Sequence, residues 1–302
     1  MNECSVRQTA DFLRGRQYTC QVVGEAERVW ADVRPISDTT ETSLSFVRDL
    51  RYLHTEVTCA VCGVVVVPLD ATDLPEADPE STSWIFVENP EAAFYEILRW
   101  WLEKRESPMI HQSSIIHPSA ELNENVTIGA LCYVGPNVVI GQEVKVGVGC
   151  SLQHCVIDDE VVIQDGVKIG GDPLGVVKGL NGSWIDRPSL RGVRVGKGSR
   201  IEDNTVIQRG FLTDTHIQEN VRIGPNCSLG NGVTVGRGSL VAQGVTIAGS
   251  VRIGNECAIW GNASIREGIQ IGAGSTVGMG SVVLTDLPGG ATYVGVPARR
   301  LW

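Results

Sequence analysis

Two hydrophobic patterns divide the chain. From Ile116 onward an aliphatic residue recurs every six positions: Ile116, Leu122, Ile128, Val134, Ile140, Val146 and Leu152. After one shortened step the series continues at Ile157, Ile163 and Ile169. It resumes at Val195, Ile201 and Ile207, then runs from Ile217 through Leu229, Ile247 and Ile265 to Val283. Gly, Asp or Asn commonly stands beside the aliphatic position. Such a period marks a repeat architecture. Each hexapeptide reads as one short strand plus a turn, and three make a coil of about 18 residues with the aliphatic side chain pointing inward. With strands ~4.8 Å apart, about eight coils form a three-sided rod ~40 Å long.

Residues 1–108 lack this period and read as a small α/β domain. RQTADFLRGR has helical spacing, Val57 to Leu69 is a buried strand, and SWIFVENP is a short strand ending in a turn. PEAAFYEILRWWLEK opens with Pro, a residue suited to the first helical position, and then carries apolar residues at helical spacing. Pro108 and His111 to Ser114 mark a linker, the β-helix is expected over 115–288, and 289–302 form a tail.

The rod period breaks in three places: the short step after Leu152, an insertion over 170–192 and a second over 208–216. Stacking every third repeat places Leu152, Ile169, Ile207, Leu229, Ile247 and Ile265 in one column, so all three breaks leave from one edge of the prism. Two residues beyond each column member stand His154, Gly171, Arg209, Asn231, Gly249 and Glu267. This edge is expected to be the working groove, because loops on a rigid scaffold commonly carry function. The competing reading is that insertions gather wherever an oligomer leaves them room.

Composition narrows the partners. A net charge of −10 excludes nucleic acid or an anionic membrane as the main ligand, since phosphate backbones need clustered Lys and Arg. No apolar run reaches the ~20 residues of a membrane span. The N-terminus has no apolar signal core, which points to the cytoplasm. The 35 glycines, without a matching excess of Pro or Ser, fit regular turns. The nine cysteines are scattered and read as reduced, mostly buried thiols. Cys59 and Cys62 form a lone CxxC in an apolar run, with no second pair or His partner nearby; a core strand is favoured over a metal or redox site.

These motifs resemble UDP-3-O-acylglucosamine N-acyltransferase, the N-acylating enzyme of lipid A synthesis, among the hexapeptide-repeat acyltransferases. The resemblance implies a left-handed parallel β-helix following the α/β domain. LSFVRDLRYL is similar to the family's uridine-binding segment: Phe46 and Tyr52 match, and Asp49 replaces an Asn. GGDPLGV and GSWIDRPSLRGVRVG resemble its insertion loop, and QRGFLTDT its second loop. AQGVTIAGS resembles the segment whose glycine N–H forms the oxyanion hole, which maps to Gly249. The family's catalytic His maps to Asn231 within Leu229-Gly230-Asn231-Gly232, and a second family His maps to Gly268. The ending GVPARRLW is more like that of CoA-dependent hexapeptide enzymes. The resemblance thus implies a homotrimer that acylates another nucleotide-linked amino sugar, with acyl-CoA or acyl carrier protein as donor and no bound cofactor or metal.

Asn231 cannot act as a base but can orient the amine or the carbonyl. His216, Glu267, Asp214 or the substrate itself are the candidates for taking the proton. His154 and Arg209 are candidates for substrate or nucleotide contact. Phe46 and Tyr52 can stack on a nucleobase, or Phe46 can be core; Asp49 can accept from a pyrimidine N3–H. Trp184 either lines an acyl or pantetheine channel or pins its loop. Two other functions remain open: a non-catalytic nucleotide-sugar or acyl-chain binding protein, and a sugar O-acetyltransferase.

Overall fold

The computed structural model describes residues 3–48, 63–71, 74, 82–103 and 108–301. The chain divides into two compact units, residues 1–107 and 108–302.

In the first unit, helix α1 (Val6–Gly15) starts at a reciprocal cap. Ser5 Oγ accepts from Gln8 N at 3.2 Å, and Gln8 Oε1 accepts from Ser5 N at 3.1 Å. Helix α2 (Pro90–Glu103) is entered from Asn89, whose Oδ1 accepts from Ala92 N at 3.1 Å. A five-stranded sheet runs in the order Gln21–Val23, Thr82–Val87, Gly63–Pro68, Ser43–Phe46, Asp32–Val33, with only the first pairing antiparallel. Val64, Val66 and Ile85 pack with Leu13 of α1 and Phe94, Ile97 and Trp101 of α2. Val65, Val67, Trp84 and Phe86 fill a second cluster with Ile36 and Val47. A strand covered on both faces needs no polar alternation, which accounts for the uninterrupted valine run. Of the strand expected over 57–69, Gly63–Pro68 is a strand and Cys59 and Cys62 fall outside the described residues.

The second unit is the left-handed parallel β-helix. Its first face runs from Ile115–Ile116 to Val282–Val283, its second from Glu121–Leu122 to Gln270–Ile271, and its third from Thr127–Ile128 to Thr292–Val294. Each strand pairs in register with the strand one coil on. Leu152 lies beside Ile169, Ile169 beside Ile207, Ile207 beside Leu229, Leu229 beside Ile247, and Ile247 beside Ile265. The column expected from the six-residue period therefore holds across both insertions. These aliphatic residues form one continuous core and are almost wholly shielded from solvent. Turns between faces place Asn125, Asn220 and Asn262 in the left-handed region, with φ of 58°, 55° and 60°. Asn and Gly tolerate that conformation better than other residues, which accounts for their recurrence.

The rod begins within the residues read as a linker: Ile110 bridges Ile128, and His111 N donates to Ile128 O at 2.9 Å. The segment read as a tail extends the third face. Thr292 and Tyr293 pair with Thr276 and Val277, and Arg299–Arg300 folds back antiparallel on Tyr293 and Val294. Cys132, Cys150, Cys155, Cys227 and Cys257 are buried free cysteines within the rod. Burial pushes Cys150 and Cys155 up to about 12, so neither is a thiolate near neutral pH.

Candidate active site

All three breaks lie between the first and second faces. The short step separates Ser151–Leu152 from Cys155–Ile157 and leaves His154 at φ 45°. The first insertion leaves Lys168–Gly171 through a register shift between Ile169 and Gly171. It builds an antiparallel hairpin of Val176–Lys178 on Trp184–Asp186, then returns at Val193. Gly170, at φ 85°, packs directly on the Gln153 carbonyl, where a side chain has no room. The second insertion is shorter than the sequence suggests, because Gln208 closes one strand and Thr215 opens the next.

The two loops interlock. The ring of Phe211 fills the space a side chain at Gly175 would occupy, and Arg187 lies over that ring at 4.4 Å. Leu190 N donates to Phe211 O at 3.0 Å, and Arg191 Nε to Leu212 O at 3.3 Å. Asp214 Oδ1 accepts from Gly192 N at 2.9 Å, and Oδ2 lies 3.6 Å from Arg194 Nε. Asp214 thus fastens the first loop to the second.

Asn231 and Gly249 occupy the same turn position on consecutive coils. A Cβ at Gly249 would stand 2.7 Å from Asn231 Oδ1, so the Asn amide packs against the bare glycine backbone. The Gly249 carbonyl is taken by Gly268 N at 3.0 Å, but the Gly249 N–H bonds to none of the described residues. An open N–H also occurs at other turns of the rod. What distinguishes Gly249 is the neighbouring amide and the loop beside it. A side chain at Gly232 would meet Thr213 Oγ1 at 3.1 Å, and Gly232 N donates to Thr215 Oγ1 at 2.8 Å. The second loop therefore sits against the Asn231–Gly232 turn.

One coil and more toward the N-terminus from Asn231, the same edge carries a polar cluster. Arg209 Nε donates to Asp172 Oδ1 at 2.6 Å, and Arg209 N donates to Gly171 O at 3.0 Å. The hydrogen bond from Arg209 holds the Asp172 carboxyl below the usual carboxylate range. Burial and then the Arg209 charge hold His154 below the usual imidazole range, so it is neutral near pH 7.

The other candidates make no described hydrogen bond to this group. His216 was expected to close the second loop. It lies instead within the strand Thr215–Ile217, between Arg194 and Thr234 on the second face, because Thr215 already resumes the ladder. Glu267 shares the edge and is exposed, with no bond to a described residue. Trp184 is 65% exposed on the hairpin, with Lys178 Nζ 5.4 Å from its ring centroid. Phe46 stacks on Phe94 at 4.4 Å within the first unit's core. Asp49 and Tyr52 lie outside the described residues.

The repeats match two family models. Bacterial transferase hexapeptide (six repeats) covers residues 214–249 and 250–285, and GlmU-like, C-terminal hexapeptide covers 107–175. The stretch between them, residues 176–213, holds the larger part of both loops. The chain is similar to UDP-3-O-acylglucosamine N-acyltransferases. The relative from Delftia acidovorans is 29% identical over 206 residues, 67% of this chain and 60% of its own. That from Polynucleobacter asymbioticus is 26% identical over 242 residues, 68% of this chain and 66% of its own. The chain thus spans just under two-thirds of the length of these relatives. Among solved structures, LpxA from Acinetobacter baumannii is 26% identical with a TM-score of 0.57, over 64% of this chain and 73% of its own. LpxA, a UDP-N-acetylglucosamine acyltransferase from Bacteroides fragilis, shares the fold at 23% identity and the same TM-score, with the same coverage.

Sequence reasoning missed Asp172, Thr213 and Phe211. Asp172 is the first residue of the inserted loop able to reach back to the column, and its place beside Gly171 was the available signal. Thr213 and Phe211 gave none, since an irregular loop has no period from which to read a neighbour.

Proposed function

We propose that this protein transfers an acyl group from a thioester to the amine of a nucleotide-linked amino sugar, along the edge between the first and second faces. The observation that carries this reading is the Asn231 amide against Gly249, whose N–H is open to a ligand. The similarity to N-acyltransferases of a nucleotide amino sugar supports the reaction class. The amine attacks the thioester carbonyl, the Gly249 N–H donates to the oxyanion, and the carbonyl re-forms as the thiolate leaves. One such donor contributes about 10²–10³ in rate. Asn231 orients the amine or carbonyl, and orientation of this kind supplies several kcal/mol.

No His stands at the Asn231 turn, and His216 faces outward from the second face. We assign the amine proton to water or to the departing thiolate, the nucleophile being an amine already neutral in part near pH 8. Glu267, on the coil after Gly249, is the remaining side-chain acceptor on this edge. The donor is acyl-CoA or acyl carrier protein, and the exposed Trp184 hairpin is available to an acyl or pantetheine chain. The working form is a cytoplasmic homotrimer with no bound cofactor.

Purified protein mixed with acyl-CoAs of graded length and UDP- or dTDP-linked amino sugars is expected to release free thiol and to form an amide product by mass spectrometry. No thiol release across the panel, with tight sugar binding by calorimetry, would replace the enzyme by a non-catalytic binding protein. An ester product would make it an O-acyltransferase.

A further inference from the structure

We infer that Arg209 and His154 form a diphosphate-binding site on the working edge, one that holds the phosphates of a substrate while its amine lies at Asn231. The inference rests on the functional reading above and adds the place and chemistry of the anion. Arg209 is 17% exposed, yet only its Nε is engaged, by Asp172 at 2.6 Å. Nη1 and Nη2 donate to none of the described residues. A planar guanidinium held by one nitrogen presents its remaining donors in a fixed fork, the geometry that suits phosphate oxygens.

The neighbours of Arg209 are short of anionic partners. Burial first and the Arg209 charge second hold His154 below the usual imidazole range, so a bound anion that offsets the Arg209 charge would favour its protonation and gain a second donor. Ser189, on the segment of the first loop that follows the hairpin, adds a buried hydroxyl that meets no hydrogen-bond geometry with a described residue. It lies close enough to Asp172 to help hold that carboxyl low. Lys178, Arg187 and Arg191 lie on the same loop and outnumber its acids, Asp172 and Asp186, in a chain of net charge −10.

Spacing links this cluster to the reacting group. Ile207 and Leu229 are register partners, so Arg209 precedes Asn231 by one coil, or about 4.8 Å. In a 2-amino sugar linked through its anomeric oxygen, four bonds separate the amine from the nearer phosphorus, a reach of about one coil. A diphosphate on Arg209 and His154 therefore sets the amine at Asn231 and the thioester at Gly249. It also directs the nucleoside toward the N-terminal end of the rod. Asp172 and Ser189 act as positioning residues, holding the guanidinium by its inner nitrogen.

Calorimetry with sodium pyrophosphate, UDP, UDP-glucosamine and CoA tests the assignment, on the wild type and on Arg209→Gln, Arg209→Lys and His154→Asn. Asn is chosen because it tolerates the left-handed backbone of His154. Arg209→Gln is expected to weaken UDP and UDP-glucosamine at least tenfold, in line with loss of a charge-assisted pair. Arg209→Lys should restore part of that loss, and His154→Asn should weaken both about threefold. Equal thermal midpoints for the variants keep the comparison interpretable. A tenfold loss confined to CoA keeps the diphosphate site and gives it to the donor. If pyrophosphate binds wild type and is lost in Arg209→Gln while no nucleotide binds, the site stands and the functional reading fails. Nucleotide affinity indifferent to all three variants, or no binding of pyrophosphate or any nucleotide, overturns the site.

Discussion

The rod repeats one backbone on three edges, yet only the edge between the first and second faces departs from regularity. On the other two edges, turn N–H groups often find a side chain on the next coil. Val148 N donates to Asp165 Oδ1 at 2.7 Å, Gln142 N to Asp159 Oδ1 at 2.9 Å, and Arg237 N to Asn255 Oδ1 at 3.1 Å. On the interrupted edge the turn facing Asn231 is a glycine, the next coil supplies only the exposed Glu267, and two interlocked loops stand where the others have tight turns. The aliphatic column continues behind both insertions without a shift of register. The comparison teaches that stability and chemistry are separated here. The core is set by the inward column, and the outward residues at one edge are free to serve a ligand.

The comparison is broken most sharply at Gly249. Gly249→Ala keeps the backbone N–H but places a methyl group against the Asn231 amide, and this crowding is expected to hold the carbonyl off the donor and lower turnover by about 10²-fold, the lower end for a lost oxyanion interaction. Its thermal midpoint should change little, because the Asn side chain can yield. Gly280→Asn on another edge, where φ is 66° and nothing lies within 4 Å, should leave both turnover and midpoint as they are. The converse holds two residues earlier, in the inward column. Ile247→Ala, at a fully enclosed site of the same coil, should cost about 2–5 kcal/mol in denaturant unfolding.

A smaller effect sharpens the role of the amide. Asn231→Ala should lower kcat about tenfold through lost orientation, with the thermal midpoint and substrate affinity kept. His216→Ala should change kcat by no more than about threefold, because the side chain faces outward on the second face away from the turn. Abolished turnover in that variant, with binding intact, would make His216 the base. The rate of the wild type should rise with pH as the substrate amine loses its proton.

The smallest effect is on His154. Its folded pKa is depressed, so the unfolded chain binds the extra proton first as pH falls. The contribution to stability is present above the unfolded value near ~6.5 and is lost as pH falls below it. His154→Asn should remove this dependence from thermal midpoints measured between about pH 5 and 8, without lowering the midpoint at pH 8.

The rod was legible because its signal is periodic. The register across both insertions followed from counting Leu152, Ile169, Ile207 and Leu229, since an inward column cannot slip without exposing its aliphatic residues. The edge followed from the same count, and with it the adjacency of Asn231 and Gly249. His216 was misplaced because the count does not say at which residue a loop hands back to the ladder. Thr215 does so by accepting from Gly232 N and donating to Gln208 O at 2.7 Å, a pairing no period announces. The Arg209–Asp172 pair was equally hidden, its members being 37 positions apart across an irregular loop. The first unit showed the opposite balance. Its elements were readable from helical spacing, the Pro90 start and the valine run, while the sheet order depends on packing partners that spacing does not encode.

A crystal structure of the protein with a UDP-linked amino sugar and CoA tests the central claim most directly. The account predicts the sugar between Arg209 and Gly249, its amine beside the Asn231 amide and its phosphates on Arg209. Ligand on either uninterrupted edge, or in the open cleft of the second face lined by Arg252, Gln270 and Asp286, would contradict it.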